Sequence, residues 1–170
     1  GERGQSGKFG EHLWKSFLEN RGYDVEEAPP RKFYDWDLKA TKREPDQETN
    51  FHPTYTFEVK YDEKAYYWAS RRGTPNDPNL YIEYRNSTKN EDSGIMTSRS
   101  DFYVYIIKDV ENVAYIFRTA KLLEHLMNAN YKSVGNSATG DDNAEGWIPP
   151  LSMLIRTKSF IKQIKLDALT

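Results

Sequence analysis

The sequence predicts a mixed α/β (α+β) fold, with a central mixed β-sheet flanked by helices. Two observations predict it. An apolar stripe with helical spacing opens the chain, and several stretches of alternating apolar and polar residues follow before a second helical stripe. A third supports it: 170 residues are enough for one domain, 1–170, with a sizeable core.

Residues 1–7, GERGQSG, read as a flexible N-terminus. A helix is expected from Lys8 to Arg21, where Phe9, Leu13, Trp14, Phe17 and Leu18 form one stripe and Gly22 reads as the stop. On this helix Glu11 projects close to Leu18, at the edge of the buried stripe, where a carboxylate needs a reason. Pro29-Pro30 breaks any regular element in YDVEEAPPRK.

FYDWDLKA, residues 33–40, alternates as a strand, with Tyr34, Trp36, Leu38 and Ala40 on one face and Asp35, Asp37 and Lys39 on the other. TYTFEVKYD, residues 54–62, alternates again. Phe57, Val59 and Tyr61 share one face; Thr56, Glu58, Lys60 and Asp62 share the opposite one. Paired as an antiparallel ribbon, the two strands would bring Asp37 near Glu58.

EKAYYWASRR reads as a short helix ending before Gly73, and LYIEYR as a strand. DFYVYIIKDV and NVAYIF read as two strands joined by a turn near Glu111-Asn112. Thr119 is expected to cap a helix running to about Asn128, with Leu122, Leu123, Leu126 and Met127 on its buried side. Residues 130–147 are polar and Gly-bearing and read as a mobile loop. PLSMLIRTKSFIKQIKL closes the chain as strand and short helix that periodicity does not separate.

The composition narrows the chemistry. There is no cysteine, which excludes disulfides, thiolate metal sites and a Cys nucleophile, and suits a reducing cytoplasmic setting. No apolar run reaches the length of a membrane span, and the N-terminus has no signal-peptide pattern. The absence of a Gly-x-x-x-x-Gly-Lys loop leaves no support for a nucleotide cofactor. Net charge is −2, mildly acidic where a nucleic-acid binder is usually basic. Carboxylates that ligate a metal would contribute to that balance.

Asp37, followed by Glu58-x-Lys60, has a mechanical logic for cleaving a phosphodiester. That reaction needs an activated water, stabilised negative charge and a helped leaving group, and bound Mg²⁺ or Mn²⁺ supplies much of this. Mg²⁺ takes one or two carboxylates and fills its octahedron with water and substrate oxygens. Asp37 and Glu58 would be those carboxylates. Lys60, on the same face as Glu58, would hold the attacking water and offset charge at the phosphate. Glu11 would orient a metal-bound water from the first helix. Asp35 shares a face with Asp37 and is the competing ligand; Asp37 is favoured because Leu38 and Ala40 follow it into the core.

This order resembles the PD-(D/E)XK nuclease superfamily over about residues 7–107, most closely in YDWDLKA and FEVKYD. By position, Asp37 matches the first acidic ligand, Glu58 the second, Lys60 the motif lysine and Glu11 the acidic residue many members carry on the first helix. Trp36 stands where the family has Pro, which is not a ligand. Downstream, Asn79-x-x-x-Glu83, Ser93-Gly94-Ile95 and Thr97 with Asp101-Phe102-Tyr103 are similar to a pattern in small phage and bacterial members. The resemblance implies a metal-dependent deoxyribonuclease of phage type, acting on DNA in the cytoplasm. The runner-up is a catalytically inactive nucleic-acid-binding or phage interaction protein that retains the fold. Junction resolution would require a homodimer, and no dimer face is evident.

The remaining candidates each have a bland reading. Arg71, Arg72 and Arg99 are candidate phosphate contacts or ordinary surface arginines. Ser98 and Ser100 would line a DNA groove beside Arg99. Glu83 supports either the site or the fold, and Asp62 reads as a solvated strand end. His12, His52 and His125 lack partners at zinc-ligand spacing and read as structural or solvated. Tyr66, Tyr67 and Trp68 read first as core and surface rings, second as a stacking platform for bases.

Overall fold

A computed structural model of the chain describes residues 2–30, 35–135 and 144–166. Its centre is a six-stranded mixed sheet in the order β1-β2-β3-β6-β7-β10. The strands are β1 (Tyr23–Glu27), β2 (Leu38–Lys42), β3 (Thr54–Asp62), β6 (Phe102–Lys108), β7 (Asn112–Arg118) and β10 (Phe160–Lys165). Only β3 and β6 pair in parallel; the other neighbours are antiparallel. Parallel neighbours need a long crossover. Here it contains helix α2 (Ala65–Arg71), the hairpin of β4 (Ile82–Asn86) and β5 (Glu91–Asp92), and a 3-10 turn at Gly94–Met96.

That hairpin founds a second, antiparallel sheet, ordered β5-β4-β9-β8, with β8 (Ser133–Val134) and β9 (Ala144–Trp147). Helices α1 (Glu2–Asn20), α3 (Thr119–Asn128) and α4 (Leu151–Leu154) complete the described elements. None of these helices is long and apolar enough to cross a membrane.

The central sheet is packed on both faces. On one, Trp14, Phe17 and Leu18 of α1 meet Leu38, Phe57, Val59, Val104 and Ile106. On the other, Tyr103, Tyr105 and Ile107 of β6 meet Leu122 and Leu126 of α3 and Leu80, Ile82 and Ile95 from the crossover. Strand β6 is therefore buried on both sides, as its near-continuous apolar run requires. Each buried Leu, Ile or Phe contributes about 1.5–3 kcal/mol to this arrangement.

Several expectations are corrected. Helix α1 starts at Glu2 rather than at Lys8; its first turns carry no apolar stripe and so no periodic signal, but propagating a nucleated helix costs little. Tyr23–Glu27 is an edge strand rather than a break, with Val25 its central apolar residue. The strand expected over 33–40 begins only at Leu38; Phe33 and Tyr34 lie outside the described residues. Within the expected loop 130–147, residues 133–134 and 144–147 are paired strands, while 136–143 lie outside the described residues. Thr119 is the first residue of α3, not its cap. Arg118 holds the cap position, and the Thr119 hydroxyl bonds to that of Ser100 at 2.9 Å. Met127 is 59% exposed, on the solvent side of α3.

Two close approaches set the distances between layers. A Cβ on Gly10 would lie 2.8 Å from Tyr61 Cβ, so α1 can lie tightly on the end of β3 only with glycine there. A Cβ on Gly94 would lie 2.2 Å from the Glu83 carbonyl oxygen, and Gly94 has φ +55°. Gly94→Ala is therefore expected to lower unfolding free energy by about 2 kcal/mol or more, measured by urea denaturation. An unchanged midpoint would show that the turn is not held against β4.

Candidate functional site

The site forms where β2 leaves β3. The last backbone bond between them is from Asp37 N–H to the Phe57 carbonyl, at 2.8 Å. The next donor along β3, Val59 N–H, bonds instead to the Asp37 carboxylate, at 2.8 Å. One side chain thus replaces a rung of the ladder, and β3 continues from Glu58 with its edge uncovered by β2. Helix α1, close on β3 because of Gly10, brings Glu11 to the same place.

Glu58, Lys60 and Asp62 all point to the face of β3 opposite α1, as their alternation predicts. The Asp37 and Glu58 carboxyls both line one cleft, and the Asp37 charge acts on Glu58. Lys60 Nζ is 3.4 Å from Glu58 Oε2, with the Glu58 side chain 12% exposed and that of Lys60 38% exposed. Burial, and then the neighbouring Asp37, push Glu58 up to about 7 against the partial relief given by Lys60. Burial likewise lifts Glu11 to about 7, helped by Asp37 and Glu27. Desolvation pulls Lys60 down, but Glu58, with Tyr103, Asp37 and Glu83 behind it, more than restores it and leaves its value above the ordinary lysine range. Lys60 is therefore a fixed positive charge among carboxyls that resist ionising together.

These groups floor a cleft of about 740 Å³. Lys8, Glu11 and His12 of α1 form one wall. The opposite wall is the crossover, through Glu83, Asn86, Lys89 and the Ser93–Gly94 turn. Among its described lining residues are eight carboxylates and three lysines. A cleft so charged repels phosphate until cations occupy it.

Asp37 and Glu58 are the pair suited to a divalent cation: two adjacent carboxylates, one buried and held short of free ionisation, with room in the cleft for water. Among the described residues no group of three or more His, Asp or Glu forms a metal cage, so most ligands of a bound cation would be water or substrate oxygens, the habit of Mg²⁺. Asp35 is exposed on the same cleft and is fixed through its backbone, its carbonyl accepting from Arg99 N–H at 2.8 Å.

Other candidates resolve into structural parts. Asp62 accepts from the Tyr105 hydroxyl at 2.7 Å and from Lys64 N–H at 2.9 Å, so it joins β3 to β6 and α2. Asp101 accepts from Thr56 N–H at 2.9 Å and returns its own N–H to Thr56 Oγ1 at 2.9 Å, closing the start of the parallel ladder. Ser100 is buried between Ser98 and Thr119, away from any groove, whereas Ser98 does line the cleft.

Arg71, Arg72 and Arg99 are not among the described lining residues. Helix α2 buries Ala65 and Ala69, which leaves Arg71 on its outer side, 5.6 Å over the Tyr67 ring, and Arg72 at its C-terminal cap. Tyr66 packs on the core, while Tyr67 and Trp68 are 54% and 47% exposed and meet edge to face. His12 lies 3.9 Å from Glu27, His52 bonds the Lys42 carbonyl and His125 the Tyr131 hydroxyl. Of the cleft wall, the sequence offered Glu83 and Ser98; Asn86, Lys89, Glu91 and Asp92 were beyond sequence reasoning, because their place depends on how the crossover folds back.

The two carboxylates should respond to mutation in opposite ways. In chelator-containing buffer at mildly alkaline pH, Asp37→Ala is expected to cost about 1–3 kcal/mol, because Val59 N–H loses its partner. Glu58→Gln should raise the thermal midpoint, because it removes a buried carboxylate crowded by Asp37. Differential scanning calorimetry reads both, and a fall for Glu58→Gln would contradict the electrostatic account. Comparison of the chain with protein-family models, with curated proteins and with solved structures finds no match.

Proposed function

We propose that the chain is a metal-dependent deoxyribonuclease with a PD-(D/E)XK-type core, hydrolysing DNA phosphodiester bonds at the cleft beside β3. The observation that carries this reading is the convergence of Asp37, Glu58 and Lys60. Asp37 immediately precedes β2, Glu58 and Lys60 lie on its antiparallel partner β3, and the lysine is 3.4 Å from the second carboxylate.

Asp37 and Glu58 would hold Mg²⁺ or Mn²⁺. The cation would supply Lewis acidity and an acidified water. Lys60, held protonated by its surroundings, is a donor rather than a base. It presents N–H groups to a phosphate oxygen and stabilises charge that develops there. Glu11, on the α1 wall, accepts a hydrogen bond from water entering beside Asp37. The excess of carboxylates makes binding of the DNA backbone depend on the cation, so substrate and metal would be taken up together.

Purified protein is expected to nick supercoiled plasmid in Mg²⁺ or Mn²⁺ and to stop when the metal is chelated. Lys60→Ala should lower the rate by at least about 100-fold while the protein still binds DNA. DNA binding without cutting in either metal would favour the silent nucleic-acid-binding reading. Neither binding nor cutting, with no Mn²⁺ heat dependent on Asp37 in calorimetry, would point to a protein-interaction role.

A further inference from the structure

Helix α2 leaves one face uncovered. Ala65 and Ala69 are buried and Tyr66 packs on the core. Lys64, Tyr67, Trp68, Arg71 and Arg72 are all exposed. Their spacing is i, i+3, i+4, i+7 and i+8, which helical turns stack on one side. That spacing normally marks an apolar face turned to a core. Here it carries three cations and two large rings turned to solvent. Tyr67 and Trp68 meet edge to face at 5.0 Å, and the Arg71 guanidinium lies 5.6 Å over the Tyr67 ring.

The cations of this face are not neutralised by the fold. Neither Lys64 nor the two arginines form an ion pair among the described residues. Nearby carboxylates are committed elsewhere. Asp62 accepts from the Tyr105 hydroxyl and Lys64 N–H, and Asp77 from Ser152 N–H at 2.9 Å. Glu63 stands at the opposite end of α2 from the arginines. The chain as a whole carries −2, and in the cleft eight carboxylates face three lysines. A polyanion meeting the metal-free protein is therefore repelled by the cleft and attracted to α2. The rings narrow the choice of polyanion. An acidic peptide would satisfy the arginines and leave the rings without flat partners. In a duplex the base faces are already stacked on one another. A single strand offers phosphates and open base faces together.

We propose that the outer face of α2 is a docking site for single-stranded DNA, with bases stacked on Trp68 and Tyr67 and phosphates held by Lys64, Arg71 and Arg72. Its place in the fold suits the cleft. Lys64 follows Lys60 by four residues, so the two Cα atoms are at most about 14 Å apart. Asp62, on the face of β3 that carries Glu58 and Lys60, holds the first turn of α2 through Lys64 N–H at 2.9 Å. A strand docked on α2 thus has its neighbouring nucleotides within reach of the cleft. The proposal rests on the nuclease reading for what the docked strand is for, and adds to it a substrate class: DNA with an unpaired segment near the bond that is cut. The docking itself does not depend on that reading.

The test uses fluorescein-labelled oligothymidylate of about 16 nucleotides, in chelator-containing buffer where nothing is cut. Anisotropy should show the wild type binding it more tightly than a blunt duplex of the same length. Trp68→Ala should weaken binding at least about fivefold, and Trp68→Phe should restore most of the loss. The double variant Arg71→Ala/Arg72→Ala should flatten the slope of log affinity against log salt by about 1.4. In the DNA-cutting assay, Trp68→Ala should raise KM for a duplex with a single-stranded tail while kcat stays nearly constant. Absence of oligothymidylate binding, or equal binding by Trp68→Ala, overturns the proposal even if DNA is cut, and the nuclease reading then stands alone. Binding that depends on Trp68 without any cutting sinks the nuclease reading and leaves the docking site. A preference for duplex or for oligouridylate overturns it, as does a dimer mass in light scattering that Trp68→Ala halves, since a second copy then covers the face. Should Trp68→Ala not fold, oligothymidylate must quench tryptophan emission in the wild type that Trp68→Phe lacks, and equal quenching in both refutes the proposal.

Discussion

The parallel pairing of β3 with β6 is the constraint on which the rest of the molecule depends. It places a strand bearing Glu58, Lys60 and Asp62 beside one that is apolar or phenolic up to its last residue, Lys108. The charged groups of β3 then have tyrosine rings, rather than water, on one side. Asp101 and Thr56 fasten the start of this ladder with reciprocal bonds, and Tyr105 with Asp62 fastens its end. Between those fixings lies the Glu-x-Lys pair, with Lys60 Nζ 3.4 Å from Glu58.

The electrostatic character of the cleft follows. A carboxylate on a solvated strand would ionise freely and attract little notice. Beside Tyr103, and against Asp37, the same group is raised toward neutrality, while Lys60 becomes harder to deprotonate. Active sites are where folds tolerate such conflict, because groups that repel one another in the empty protein can be reconciled by a bound ion. Asp37 combines both roles. It completes the β2–β3 ladder through Val59 and still borders the cleft, so the geometry of the site and the end of the sheet are set by one residue.

Much of this was legible in the sequence, and the limits have physical causes. The bounds and facial parity of β3 followed from strict alternation over Thr54–Asp62, and the helical stripe of α1 predicted its buried side. The meeting of Asp37 with Glu58 followed from parity plus the assumption of antiparallel pairing. Tyr23–Glu27 was missed because an edge strand with one central apolar residue has almost no pattern. The short strands β8 and β9 were missed because two- and four-residue elements fall below any periodic signal. Which side of α2 is buried was not legible from composition; Ala65 and Ala69 decide that, and they leave Arg71 facing outward. The placing of Glu58 beside Tyr103 was out of reach, since it depends on a register between distant strands.

That separation bears on how the protein is made. Thr56 and Asp101, which open the parallel ladder, are 45 residues apart in the chain, so β3 leaves the ribosome well before the strand that shelters it. Until β6 arrives, the nascent segment carries its acidic pair and lysine in open water. There they are ordinary hydrated ions with no tendency to crowd. Pairing so distant slows folding relative to local contacts, and the same event buries the charged pair. A ribosome stalled before β6 would therefore present Asp37, Glu58 and Lys60 without the strand that shelters the last two.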